Sequence, residues 1–233
     1  MFFPYYYFDW TYLLLIPALI LSLWAQSNVN GTFRKYAKVT SRFGYTGADV
    51  ARKILDMNGL YQVKVERIAG NLTDHFDPKS NVVRLSDATY SSQSVGAIGV
   101  AAHEVGHAVQ YATGYAPIRV RNSIVPVVNV CNMLSMPILL IGVLMSWNST
   151  LIQLGIILFS ATVLFQLITL PVEFNASNRA LATLRDKNIL DTTEIKGASA
   201  VLRAAALTYV AAAVSAVMSL LRLVLLFGGR RRD

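Results

Sequence analysis

The chain has 233 residues, 54% of them hydrophobic and 15% charged, and a net charge of +8. Soluble domains carry about 25% charged residues, so a wholly soluble domain is excluded, and a mean hydropathy of +0.45 excludes a disordered chain. The single cysteine, Cys131, excludes an intramolecular disulfide framework and a cysteine-based zinc cluster, and three histidines leave few ways to build a histidine metal site.

The first apolar run, Trp10 to Ala25, is long enough to span a bilayer with Phe8 and Gln26 near its ends. Phe2, Phe3, Tyr5, Tyr6, Tyr7 and Phe8 precede it, suited to the headgroup interface. A signal peptide would start with basic residues, and residues 1–26 hold no Lys or Arg. This segment is expected to be an uncleaved transmembrane anchor. Residues 27–122 change character and hold 12 Lys and Arg. There Thr46 is expected to cap a helix carrying Val50, Ile54 and Leu55, with Asp49 in its first turn and Gly59 as its stop. Tyr61 to Ile68 alternates as a strand does, and Asn81 to Ser86 is a second strand candidate. Asp77-Pro78-Lys79-Ser80 before it reads as a turn. Ser91 or Ser94 then opens a helix running to about Tyr111.

Ile124 to Trp147 and Leu151 to Leu170 carry no charge and are separated only by Asn148-Ser149-Thr150. They predict a membrane hairpin over 123–172, bent at Pro126 and Pro137. Residues 173–197 are polar. The last run, Ala198 to Phe227, overshoots a hydrocarbon core and includes Arg203 and Arg222. A C-terminal span with a basic tail is expected over 198–233. The positive-inside bias puts 27–122 and 173–197 on the cytoplasmic side. The tail Arg230-Arg231-Arg232 opposes that bias if the fourth span crosses fully.

The chemistry centres on His103-Glu104-Val105-Gly106-His107. On a helix, positions i and i+4 share a face, so two imidazoles can grip one metal ion, and the intervening glutamate can take a proton from water. A catalytic zinc needs a third protein ligand and an open position. No histidine follows His107, and the later carboxylates are Glu173, Asp186, Asp191, Glu194 and Asp233. Glu173 stands where the third apolar run re-enters polar sequence, and the hairpin returns it to the side of His107. A glutamate near a helix N-terminus is the plainer alternative for it.

His103–His107 followed far downstream by Glu173-Phe174-x-Ala176 resembles the glutamate-type zinc peptidases, including the membrane-embedded CaaX-processing and heat-shock enzymes. Asp74-His75-Phe76-Asp77-Pro78, Val83-Arg84-Leu85-Ser86, Ala101-Ala102-His103 through Ala108 and Leu170-Pro171-Val172-Glu173-Phe174 resemble the bacterial neutral zinc metallopeptidase family of small membrane proteins. The resemblance covers most of the chain. It implies zinc, proteolysis and a bacterial cytoplasmic membrane. The broader clan often has Asp four residues beyond the ligand glutamate, and Ser177 stands there instead. Asn175, Asn178 or Asp74 could then orient a ligand histidine.

His75 could sit by the substrate or serve as an ordinary turn residue. Val82–Ser86 could be the edge strand that pairs with an extended peptide, and Tyr209 could reach the site from the last helix. The reading is therefore an α+β protein, a zincin-like domain combined with about four transmembrane helices. One zinc ion per chain is held by His103, His107 and Glu173, with Glu104 as general base. Its expected partners are the lipid bilayer and a protein or peptide substrate, with no nucleic acid, and a homo-oligomer or membrane partner protein is left open. The alternatives are a non-catalytic assembly protein that keeps zinc structurally, in which Glu104 has no use, and a metal transporter, whose ligands would lie mid-membrane.

Overall fold

A computed structural model describes residues 9–227. The aromatic segment ending at Phe8 and the Arg230–Arg232 tail lie outside the described residues. The fold is α+β, with a three-stranded sheet and four helices long and apolar enough to cross a bilayer. The described residues form two compact units. One comprises 9–24, Ile124–Leu167 and 210–227, and the other comprises Ala25–Ser123 and Ile168–Tyr209.

In the second unit, α2 (Gly47–Met57) starts at Thr46, whose hydroxyl accepts from Asp49 N while the Asp49 carboxylate accepts from Thr46 N. Each side chain satisfies a backbone donor that the helix leaves free. β1 (Lys64–Ile68) begins later than the alternation of apolar residues predicts. Arg52 explains this, since its guanidinium donates to Val63 O at 2.6 Å and Leu60 O at 3.0 Å and holds 60–63 in a turn. β2 (His75–Asp77) and β3 (Val82–Ser86) form a hairpin. The Asp77 carboxylate closes it by accepting from Lys79 N at 2.9 Å and Ser80 Oγ at 2.6 Å. The strand order is β1-β3-β2, with β1 parallel and β2 antiparallel to β3. Both edges of β3 are thus filled. Val82–Ser86 is the central strand and not a peptide-binding edge, because its alternate residues Val83 and Leu85 are fully buried in the core.

A single-turn helix, α3 (Asp87–Tyr90), leads to α4 (Val95–Ala112), which Ser94 caps by accepting from Ala97 N. Leu55, Val83, Leu85, Ile98, Val105 and Leu184 are fully buried in one core. Each contributes about 1.5–3 kcal/mol by leaving water. The described membrane helices do not end where the polar sequence begins. α1 (Leu15–Tyr36) follows a 3-10 turn at Trp10–Leu14, α5 (Ala116–Leu144) runs through Pro126 and Pro137, and α6 (Ser149–Asp186) runs through Pro171. Glu173 therefore shares a helix with the third apolar run. The change at residue 173 is one of polarity along α6, since Ala176, Ala180, Leu181 and Ala182 all favour continuing the helix. α7 (Thr192–Phe227) likewise starts before the apolar run.

In the first unit, small residues bring α5 and α6 together. A Cβ on Gly155 would lie 3.0 Å from Ser135 O, and one on Gly142 would lie 3.1 Å from Ile152 N. Such close approach is how spans associate where apolar burial gives no drive. Ser22 Oγ and Ser215 Oγ lie 3.1 Å apart, linking α1 and α7. At one end of this bundle Arg222 donates to Asp9 Oδ2 at 2.8 Å, and Phe227 packs on Trp147 with ring centroids 5.8 Å apart. The carboxyl end of α7 therefore lies level with Asp9 and the α5–α6 loop, and α7 traverses the bundle.

Candidate metal centre

His103, Glu104 and His107 lie on α4, whose other faces carry the buried Ala101, Ala102, Val105, Ala108 and Val109. Gly106, between the histidines, lets α6 come close, since a Cβ there would stand 2.8 Å from Ala176 O. That approach brings Glu173, one helical turn before Ser177 on α6, against both imidazoles. Glu173 Oε2 is 3.3 Å from His103 Nε2 and 3.5 Å from His107 Nε2, and the two Nε2 atoms are 3.2 Å apart. Tetrahedral zinc with ligand bonds near 2.0–2.1 Å sets its ligand atoms about 3.3 Å apart. The three atoms have that spacing.

The protons agree with the spacing. Gln110 Nε2 donates to Val172 O at 2.8 Å and Asn175 Oδ1 at 2.9 Å, which turns Gln110 Oε1 toward His107 Nδ1 at 3.0 Å. A carbonyl oxygen only accepts, so His107 carries its proton on Nδ1 and presents a lone pair on Nε2. His103 Nδ1 lies 3.1 Å from Ser177 Oγ, which can accept from it in the same way. Glu173 Oε2 is buried and has no hydrogen-bond partner. Three lone-pair atoms converge with no donor between them, an arrangement that a cation satisfies. His103, His107 and Glu173 could hold such an ion.

A family model described as "Putative neutral zinc metallopeptidase" matches residues 11–228. The chain belongs to this family. It is 52% identical over 214 residues to the "Putative membrane protease YugP" of Bacillus subtilis (strain 168), a match covering 92% of this chain and 95% of that protein. No solved structure matches it. Membership of the neutral zinc metallopeptidase family implies zinc, and the donor set of two imidazoles and one carboxylate is one that zinc takes.

Beside His107 and Glu173 lies a cleft of ≈ 160 Å³, lined also by Asp74, His75, Phe76, Glu104, Arg121 and Tyr209. Burial pushes the pKa of Glu104 up to about 7, against the pull of His103 and with the repulsion of Glu173 and Asp74. His75 lies on β2 with Nδ1 2.9 Å from Thr73 O. Asp74 does not orient a histidine. It accepts from Ser86 N at 2.8 Å and Ser86 Oγ at 2.9 Å and so braces the β3–α3 junction. Asn178 is exposed and lines a groove with Phe174, Arg203 and Leu207. Asn175 acts at one remove, through Gln110. Ser177 itself occupies the place expected of an aspartate.

Two residues escaped the sequence reading. Gln110 is fully buried at the end of an otherwise apolar helix face, and that polarity three residues after His107 was its only signal. Arg121 donates from Nη1 to Glu173 Oε1 at 3.0 Å. It is the last charge before the apolar run, which a membrane anchor explains equally well.

Proposed function

We propose that the chain is a zinc-dependent endopeptidase that cleaves proteins in or beside the membrane. The observation that carries this is the zinc-ligand spacing of His103 Nε2, His107 Nε2 and Glu173 Oε2 beside a cleft that His107, Glu173 and Glu104 line. Zinc held by these three would supply Lewis acidity, polarising the scissile carbonyl and acidifying the attacking water. Glu104 takes the proton of that water and passes it to the departing amine. A carboxyl whose burial raises its pKa suits both transfers. Gln110 and Ser177 hold the imidazole rings so that their lone pairs stay aimed at the centre.

An extended substrate would lie across the mouth of this cleft. β2 is the strand beside it, with β3 on its other edge, and offers main chain for pairing. His75 and Tyr209 line the same cleft and lie within reach of such a peptide. The centre faces the cytoplasm in this reading. Residues 27–122 hold 12 Lys and Arg and 173–197 hold 4, against none in 124–170.

The test uses the full chain in detergent or lipid discs. Metal analysis is expected to find one zinc per wild-type chain and clear loss in Glu173→Ala. Glu104→Gln is expected to keep zinc and to trap, uncleaved, the proteins that the wild type cuts. Full zinc occupancy in Glu173→Ala, or wild-type cleavage by Glu104→Gln, would overturn the assignment.

A further inference from the structure

We propose that Arg121 is a positioning residue that makes Glu173 a one-oxygen ligand and thereby keeps a coordination position open for water. This rests on the metal centre proposed above. A carboxylate can bind a metal through one oxygen or two. Two imidazoles and a two-oxygen carboxylate fill four positions with protein atoms alone, so that water can join only as a fifth ligand. Two imidazoles and a one-oxygen carboxylate leave the fourth place that hydrolysis needs.

The structure divides the two oxygens of Glu173. Oε1 accepts from Arg121 Nη1 at 3.0 Å, while Oε2 faces both Nε2 atoms and takes no hydrogen bond. Arg121 reaches Glu173 through one Nη and does not grip both oxygens, so it fixes the rotation of the carboxylate instead of withdrawing it from the centre. Its Nε lies 3.4 Å from Asn122 Oδ1, which steadies the plane of the guanidinium. Both carboxylate faces matter because Glu173 is buried, its side chain only 4% exposed against 24% for Arg121. In such surroundings a charged donor outweighs a neutral one. The Tyr209 hydroxyl also neighbours Glu173, but it brings no charge. Interface anchoring accounts for an arginine at the foot of α5 and not for its bond to a buried carboxylate.

Cobalt(II) in place of zinc reports coordination number through its visible absorption, strong for four ligands and several-fold weaker for five. Wild-type protein loaded with cobalt is expected to give the strong spectrum. Arg121→Gln is expected to bind cobalt and give the weaker one, as Oε1 turns onto the metal, and Arg121→Lys to fall between. Equal spectra for the wild type and Arg121→Gln would overturn the proposal. X-ray absorption of the zinc-loaded wild type tests it without any variant. A carboxylate carbon at the short distance of two-oxygen binding overturns it, and the longer distance supports it. Glu173→Ala serves as control: if it binds cobalt with the wild-type spectrum, the metal reading fails and this proposal with it.

Discussion

Gly106→Ala tests whether the centre depends on the closeness of α4 and α6. The added Cβ would stand 2.8 Å from Ala176 O, 3.3 Å from its Cα and 3.4 Å from its carbonyl carbon. All three are backbone atoms, so no side chain can swing away. Relieving the shortest approach to ordinary contact moves the helices apart by about 0.6 Å. Ala176 lies between Glu173 and Ser177, so the shift is delivered to the Glu173 carboxylate and to the partner of His103. Zinc sites tolerate about 0.2 Å in their ligand distances. Overpacking costs about 1–3 kcal/mol, partly offset by about 1 kcal/mol from the better helix propensity of alanine. The expected outcome is a lower unfolding temperature and a loss of roughly 10–100-fold in zinc affinity, the range seen when support for a ligand is disturbed. Thermal unfolding with and without chelator, and zinc competition, measure the two. Gly99→Ala, where Cβ would meet Ala198 Cβ at 3.3 Å, is expected to be milder, and Gly31→Ala, with nothing within 4 Å, to show no loss. Wild-type zinc affinity and stability in Gly106→Ala would refute the argument.

Gln110→Leu keeps the volume but leaves His107 Nδ1, Val172 O and Asn175 Oδ1 without the amide that joins them, and is expected to weaken zinc about 10–100-fold by chelator competition. At the start of α2 the bonds from the Thr46 side chain and backbone hold the Asp49 carboxyl below its ordinary range. A lowered folded pKa adds stability above the unfolded value near 3.9 and loses it as pH falls through the folded one. Thr46→Ala is thus expected to cost about 1 kcal/mol at neutral pH in denaturant melts, and its difference from wild type is expected to shrink below about pH 4. With Cys131 replaced, Ser149→Cys is expected to react with an impermeant thiol reagent in intact cells and Lys187→Cys only after lysis. The reverse pattern would place the centre outside and change the substrate class to exported proteins.

The parts legible in the sequence are those that local chemistry dictates. His103 and His107 share a helix face whatever packs around them, and Thr46-x-x-Asp49 and Ser94 mark helix starts by satisfying backbone donors nearby. The charge-free runs show the spans because charge is costly in hydrocarbon. Other features depend on which surfaces meet. β3 is central because β1 pairs with it across the intervening β2, a choice invisible in a strand that alternates like any other. α6 continues past Glu173 because polarity ends a span but does not end a helix. The bond of Arg121 to Glu173 and the chain from Asn175 through Gln110 to His107 join residues 52, 65 and 3 positions apart. Composition distinguishes neither Arg121 from a membrane anchor nor Gln110 from an exposed polar residue. Only the packing of α4, α5 and α6 desolvates these groups, and once desolvated each must find a partner or cost its full burial.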